Sequence, residues 1–270
     1  MSDEFIQSRQ NPRVKLLDRL RDRAGRRKTG LFAVEGLREL SRCVETVGAD
    51  EIYFCPDFFK SGEHSAFVEK LRADSEIPLC RLSAGAFEKV SNREGCDGLI
   101  GVVKQWSCGL EELELSGAEN PTVLVADSIE KSGNLGALLR SADALCAEAV
   151  ILTNSVCDIF NPAVVRASQG ALFSVKVAEA TPAEAAEWLK VRGIKTFGAH
   201  LGASDFLWNA DMSVPCAIVV GSEKDGLGDD WNGLLDCRVK IPMGGISDSM
   251  NVNVAAALFL YEALRSKSAL

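Results

Sequence analysis

The sequence predicts an α/β fold whose second half carries a mostly parallel β-sheet. Between residues 122 and 265, short strand-like runs alternate regularly with helix-like segments. Such alternation is typical of parallel strands that are covered by helices on both faces. A polar, acidic stretch with Gly and Ser separates this half from an earlier α/β region. We therefore predict an N-terminal domain over residues 1–106, a linker over 107–120 and a C-terminal domain over 121–270.

The N-terminal region begins with a predicted basic helix over residues 12–28, because Val14, Leu16, Leu17 and Leu20 form an apolar stripe at helical spacing. Strand-like and helix-like runs follow it and predict a compact α/β unit. The predicted strands of this unit cover residues 31–36, 51–56, 77–83 and 98–106, and its further helices cover 37–48 and 64–74.

The C-terminal region carries the regular alternation. Its predicted strands cover residues 122–127, 149–154, 173–178, 195–201, 216–223 and 237–243, and its predicted helices cover 134–145, 161–173, 182–193 and 250–265. Parallel sheets bind ligands at the carboxyl ends of their strands. We therefore expect a ligand site in the loops that follow the strands 122–127, 216–223 and 237–243.

The composition restricts the class of protein. The 270 residues are 47% hydrophobic, which suffices for one large or two modest domains. The nine cysteines are scattered singly and only two histidines are present, so we expect free thiols and no zinc site. No run is long and apolar enough for a membrane span, and the first residues lack the apolar core of a secretory signal. We expect a cytoplasmic protein without a bound metal.

The charge is unevenly distributed along the chain. The net charge is −8, yet residues 1–28 hold nine basic and only four acidic residues. A basic arm on an acidic body can bind phosphate groups, and a solvated helix face with local ion pairs explains the pattern equally well. The residues that we consider as phosphate ligands are Arg9, Arg13, Lys15, Arg26, Arg27 and Lys28.

The first candidate for chemistry lies in residues 130–144. Gly133 and Asn134 open a predicted helix after a strand, and Arg140 follows Asn134 by six residues, about 1.7 turns. Arg140 has apolar and small neighbours, so it must either pair with a carboxylate at the surface or face a cleft.

Two later segments place glycines and small polar residues at strand ends. Gly221, Glu223 and Gly226 follow an apolar run, and glycines let a backbone approach a ligand closely. A tight turn alone also explains these glycines. Ser249 and Asn251 precede a strongly apolar helix, and either one can cap it. With Asn253 nearby, the segment holds more polar side chains than a single cap needs.

In their order and spacing, these segments resemble the three signature motifs of the SpoU class of the SPOUT methyltransferases. The family's first motif is an Asn followed after six residues by an Arg, and the second is a strand ending in Gly-x-Glu with a glycine beyond it. The third is Ile-Pro-Met, a short spacer, and Ser-Leu-Asn-Val, in which Met250 here replaces the usual leucine. The matching residues are Asn134 and Arg140; Gly221, Glu223 and Gly226; and Ile241, Pro242, Met243, Ser249, Met250, Asn251 and Val252. Residues 158–173 and the N-terminal region match this family as well, so the resemblance covers nearly the whole chain.

The resemblance implies a parallel-sheet SPOUT domain with a deep trefoil knot, preceded by a smaller α/β domain that binds RNA through the basic residues named above. It implies a homodimer that transfers a methyl group from S-adenosylmethionine to a ribose 2′-hydroxyl, in 23S rRNA for relatives with such an N-terminal domain. The implied catalytic residues are Asn134, Arg140, Glu223, Ser249 and Asn251. The implied cofactor-binding residues are Gly221, Ser222, Glu223, Gly226, Ile241, Met243, Ser249, Met250 and Asn251.

Other interpretations stay open at this stage. Transfer RNA could be the substrate, a base could accept the methyl group, or the chain could bind RNA without catalysis. A nucleotide-dependent enzyme of the ordinary doubly wound type is disfavoured because its phosphate-loop fingerprints are missing.

Overall fold

The computed structural model describes residues 4–92, 95–222, 224 and 226–267. The chain forms two compact units: Met1–Trp106 with Asp158–Phe173, and Ser107–Cys157 with Ser174–Leu270. The strands are β1 (Glu4–Ile6), β2 (Leu31–Glu35), β3 (Glu51–Phe54), β4 (Leu79–Leu82), β5 (Leu99–Lys104), β6 (Thr122–Asp127), β7 (Ala149–Thr153), β8 (Lys176–Ala180), β9 (Lys195–Ala199), β10 (Asp205–Phe206), β11 (Cys216–Val220) and β12 (Cys237–Lys240). The helices are α1 (Pro12–Arg19), α2 (Arg23–Thr29), α3 (Leu37–Thr46), α4 (Gly62–Asp74), α5 (Ala84–Val90), α6 (Ser132–Ala144), α7 (Pro162–Ser168), α8 (Pro182–Val191) and α9 (Val252–Lys267).

The first unit is built on a five-stranded mixed sheet in the order β1-β4-β3-β5-β2. β1, β4 and β3 run parallel, and β5 is antiparallel to its neighbours β3 and β2. The apolar stripe of α1 packs into the core of this unit, where Leu17 and Leu20 lie beside Tyr53 and Phe87. The helix begins at Pro12 because the side chain of Asn11 caps it.

The predicted helix over residues 12–28 is wrong in its length, because the structure divides it into α1 and α2. Residues 20–22 separate the two helices. A Cβ atom at Gly25 would overlap the carbonyl group of Arg19, so a glycine is needed at this close approach. Gly30 then ends α2 with a φ of +66°.

A buried ion pair fixes α2 within the first unit. Arg26 is only 1% exposed, and its Nε and Nη2 atoms donate to Oδ2 of Asp158 at 3.0 and 2.7 Å. Its Nη1 atom donates to the carbonyl oxygens of Leu20 and Arg21 at 2.9 and 2.8 Å, and so satisfies acceptors beyond the end of α1. The guanidinium of Arg26 is therefore withdrawn from solvent and bound within the protein, which disfavours the prediction that this residue binds RNA.

The segment Asp158–Phe173 packs with the first unit, although the predicted C-terminal domain spans 121–270 without interruption. The ring of Phe160 lies 4.9 Å from that of Trp106 and 4.9 Å from that of Phe32, and Phe173 lies 6.3 Å from Trp106. These aromatic contacts hold the segment in this unit. They also explain why the strand predicted from residue 173 begins only at Lys176.

The second unit is a seven-stranded sheet in the order β10-β12-β9-β11-β6-β7-β8, and each of these pairings is parallel. The predicted parallel α/β fold is therefore confirmed. All residues of β6, β7 and β11 are buried, as expected for strands covered on both faces. Helix α9 packs against α6, β6 and β11. The trefoil knot stays a prediction.

Among the described residues, no helix combines the length and the apolar character that a membrane span requires.

Replacing Arg26 by Ala is expected to lower the free energy of unfolding by about 3 kcal/mol or more, because the Asp158 carboxylate loses its charged partner. The adjacent Arg27 is exposed, so Arg27→Ala is the matched control and should cost less than about 0.5 kcal/mol. Urea unfolding followed by circular dichroism measures both values. Equal stabilities of the two variants would contradict a structural role for the ion pair.

Candidate active site

A cavity of about 420 Å³ opens at the carboxyl ends of β9, β11 and β12 in the second unit. This volume falls within the range of small-molecule sites. The buried side chains of Val220, Val239 and Phe259 form an apolar part of its lining. The predicted cofactor residues that line it are Gly221, Ser222, Gly226, Ile241, Met243, Ser249 and Met250. Glu223, which was predicted for both cofactor binding and catalysis, lies outside the described residues.

The glycines after β11 build a tight turn at the edge of this cavity. Ser222 and Gly226 exchange backbone hydrogen bonds of 2.9 and 3.2 Å across the turn. Gly226 has a φ of +70°, and a Cβ atom at Gly221 would overlap the carbonyl group of Gly226. The turn geometry therefore requires both glycines. It leaves backbone groups at the cavity wall, where a ligand can approach them closely.

Two lysines bring positive charge to the cavity. Lys240 ends β12 and Lys224 lies within the turn after β11, and both line the cavity together with apolar side chains. An apolar wall beside cations suits a ligand that combines a planar heterocycle with a carboxylate. S-adenosylmethionine has this composition, so the residues present fit the cofactor that the resemblance implies.

Polar contacts join the start of α9 to α6. The Nδ2 atom of Asn251 donates to Oδ1 of Asn134 at 3.3 Å, and Oγ of Ser141 donates to Oδ1 of Asn253 at 2.8 Å. Asn251 also accepts the backbone N–H of Asn253 at 3.0 Å and so caps α9. The structure thus brings together the first and third motifs, which are more than a hundred residues apart in the sequence. Asn251 both caps α9 and contacts Asn134 of α6.

Arg140 does not line the cavity. It is exposed on α6, and a spacing of six residues places it about 120° around the helix axis from Asn134. Among the described residues, no hydrogen bond or ion pair involves its side chain. The alternative of a surface ion pair thus finds no partner in the described part of the chain. The structure unites Asn134 and Asn251 but does not bring Arg140 to the lining of the cavity in a single subunit.

Sequence reasoning missed three residues at this site. His200 and Lys240 line the cavity, and Ser141 joins α6 to α9. Nδ1 of His200 accepts the backbone N–H of Gly202 at 3.0 Å, which holds the ring beside the cavity. His200 lies within the predicted strand 195–201, whereas in the structure it directly follows the end of β9. Ser141 lies seven residues after Asn134, on the same helix face, so helical spacing was a usable signal.

The six predicted RNA-binding residues of the first unit differ in their surroundings: two bond to neighbouring groups, one is buried and three are exposed. Arg13 forms ion pairs with Glu4 and Glu51, and its hydrogen bond to Glu4 raises the pKa of its guanidinium. Arg9 donates to the carbonyl oxygen of Gly85 at 2.7 Å. Arg26 is buried, as described above. The residues of the arm that lie exposed and without a side-chain partner among the described residues are Lys15, Arg27 and Lys28.

No group of three or more His, Cys, Asp or Glu side chains is placed to hold a metal ion within residues 4–92, 95–222, 224 and 226–267.

Comparisons with known proteins match both parts of the chain. A family model described as "SpoU rRNA Methylase family" matches residues 121–261, and one described as "MRM3-like substrate binding domain" matches residues 11–101. The 23S rRNA (guanosine(2553)-2′-O)-methyltransferase RlmP of Bacillus subtilis (strain 168) is 28% identical over 258 residues. That similarity covers 95% of this chain and 97% of the relative.

Solved structures resemble the whole chain. A crystal structure of an RNA 2′-O ribose methyltransferase is 35% identical, with a TM-score of 0.84, and the similarity covers 97% of this chain and 98% of that one. The SpoU methyltransferase AviRb from Streptomyces viridochromogenes, in complex with the cofactor AdoMet, is 27% identical with a TM-score of 0.82. The similarity to AviRb covers 94% of this chain and 98% of that one.

Gly221→Ala is expected to weaken the binding of S-adenosylmethionine by about tenfold or more, because the added methyl group forces the turn at the cavity wall open. Gly228→Ala is the matched control, since Gly228 has a φ of −67° and the nearest atom to an added Cβ, among the described residues, is a carboxylate oxygen of Asp127 at 3.8 Å. Isothermal titration calorimetry measures both dissociation constants. Unchanged affinity in the Gly221 variant would exclude this turn from the cofactor site.

Proposed function

Because the chain belongs to the SpoU rRNA methylase family, we propose that it transfers a methyl group from S-adenosylmethionine to a ribose 2′-hydroxyl of 23S rRNA. One observation carries this proposal: residues of the second and third motifs line a single cavity at the carboxyl edge of a parallel sheet, and Asn134 of the first motif contacts Asn251 of the third. Relatives of nearly full length are named as 23S rRNA methyltransferases, which supports ribosomal RNA over transfer RNA as the substrate.

The cavity residues divide the recognition of the cofactor among them. Ile241 and Met250 offer apolar contact to the adenine, the backbone around Gly221 offers hydrogen-bonding groups, and Lys240 attracts the carboxylate. When bound, S-adenosylmethionine supplies a methyl group on a positively charged sulfur. Ser222, Gly226, Met243 and Ser249 also line this cavity and keep their proposed roles, and Glu223 and Asn251 stay predicted cofactor residues.

Arg140 acts on the RNA. A guanidinium is a poor base, so we assign Arg140 to bidentate binding of an RNA phosphate. A phosphate oxygen held in this way can accept the proton of the 2′-hydroxyl. Asn134, Asn251 and Ser249 then orient the ribose, and Glu223 supports the guanidinium. Much of the acceleration would come from this positioning.

A second copy of the chain completes the site in this proposal. Val254, Leu258 and Tyr261 of α9 are 47%, 39% and 56% exposed, and their spacing places them on one helix face. Such an exposed apolar face is suited to a symmetric contact between two subunits. Because Arg140 does not line the cavity of its own subunit, we propose that the partner subunit supplies the guanidinium.

The exposed cations of the first unit bind the RNA backbone. Lys15, Arg27 and Lys28 carry this role, while Arg9 and Arg13 are partly neutralised by neighbouring carboxylates. The protein would act in the cytoplasm, where its substrate is made.

The experiment that tests this function incubates the protein with methyl-labelled S-adenosylmethionine and either unmodified 23S rRNA or unmodified transfer RNA. The labelled nucleotide is then mapped. Label on a ribose 2′-oxygen of 23S rRNA is expected. Label on a base, label on transfer RNA alone, or no label with either RNA would contradict the proposal.

Arg140→Ala is expected to reduce the rate of methyl transfer by about a hundredfold or more while leaving cofactor affinity unchanged, because the guanidinium binds the RNA and not the cofactor. Arg140→Lys should recover only part of the rate, because an ammonium cannot bind a phosphate bidentately. Arg192, an exposed arginine of the same unit that stacks on Trp188, provides the control variant Arg192→Ala. Full activity of Arg140→Ala on 23S rRNA would remove this residue from the mechanism.

A further inference from the structure

The first unit contains a second cavity, of about 210 Å³, which the proposed reaction does not use. The start of α7 forms one part of its lining, through Pro162 and Ala163. This part of the wall is well fixed, because the side chain of Asn161 accepts the backbone N–H of Ala163 at 2.9 Å. Arg166 lies one helical turn beyond Pro162 and also lines the cavity.

A buried carboxylate organises the rest of the lining. Glu35 is 8% exposed, and its carboxylate accepts hydrogen bonds from Oγ of Ser91 and from the backbone N–H of Asn92. Oδ1 of Asn92 in turn accepts from Nε of Arg21 at 2.8 Å. These bonds orient the Arg21 guanidinium and the Asn92 amide toward fixed positions at the cavity. The site is therefore preorganised before any ligand arrives.

The charges of the lining favour one class of ligand. A buried carboxylate repels a phosphate group placed inside the cavity. Asparagine amides, by contrast, form hydrogen bonds with the edges of a nucleobase, and guanidinium planes stack on its faces. Arg166 is exposed and has no side-chain partner among the described residues, so it can bind a phosphate at the rim.

We propose that this cavity binds one unpaired nucleotide of the RNA substrate, with the base inside and its phosphate at Arg166. The inference rests on the proposed function for the presence of RNA, and it adds a recognition site in the first unit. Proteins that read RNA sequence commonly take up bases that are splayed out of the helix. Such a site gives the enzyme a means to choose among RNA loops that the exposed cations alone would not distinguish.

Two variants test the binding of the base and the binding of the phosphate separately. Ala163→Phe fills the cavity without changing the charge, and Arg166→Ala removes the charge at the rim. The matched controls are Ala24→Phe and Arg81→Ala, which alter exposed residues of the same unit outside this cavity. Binding of S-adenosylmethionine by each variant verifies that the second unit is intact.

The measurement is the dissociation constant of full-length protein for unmodified 23S rRNA fragments at several salt concentrations. Ala163→Phe is expected to raise it about tenfold with an unchanged salt dependence, as expected for the loss of one base contact. Arg166→Ala is expected to weaken binding and to lower the slope of log Kd against log salt by about one, as expected for the loss of one phosphate contact. Each control should match the unaltered protein in affinity.

Chemical probing of the unpaired bases supplies the direct test. One base of the RNA is expected to be protected by the unaltered protein and exposed again with Ala163→Phe. Equal affinity of Ala163→Phe and Ala24→Phe, or identical protection patterns, would overturn the inference and identify the cavity as a packing gap filled by water. If Ala163→Phe does not fold, the salt dependence of RNA binding by Arg166→Ala decides whether the inference holds. Methyl transfer by the unaltered protein is measured separately, so a failure of the cavity is distinguishable from a failure of the proposed function.

Discussion

The candidate active site depends on the packing of α9 against α6. The parallel sheet brings the ends of β9, β11 and β12 to one edge, and α9 adds Val252, Ala255 and Phe259 to the lining of the cavity there. The amide contact between Asn251 and Asn134, and the hydrogen bond between Ser141 and Asn253, hold the two helices in register there. A shift of α9 by one residue would break both contacts and move Met250 and Val252 at the cavity wall.

Much of the second unit could be predicted from the sequence because its strands are local signals. Fully buried strands such as β6, β7 and β11 appear as continuous apolar runs, and the helices between them require a parallel sheet. The candidate site could be located because two motifs directly follow strand ends. His200 was missed because no motif marks the end of β9, and its place at the cavity depends on the neighbouring strand order β12-β9-β11.

The limits of sequence reasoning are clearest at the charged residues. Arg26 and Arg27 are adjacent in a basic run, yet one is buried against Asp158 and the other is exposed. Asp158 lies 132 residues away from Arg26, so no local pattern identifies that pair. The position of Arg140 could not be inferred from its spacing to Asn134 alone, because a spacing of six residues does not place two side chains on one helix face. In each case a tertiary contact decides the role of the side chain.

The most direct test of this account is hydrogen–deuterium exchange of the full-length protein with and without S-adenosylhomocysteine. The ligand should slow amide exchange in peptides that cover residues 216–228 and 237–252, because these loops surround the cavity and their backbone groups become protected on binding. Slower exchange confined to other parts of the chain, or no change at a saturating concentration, would contradict the claim that these loops form the cofactor site.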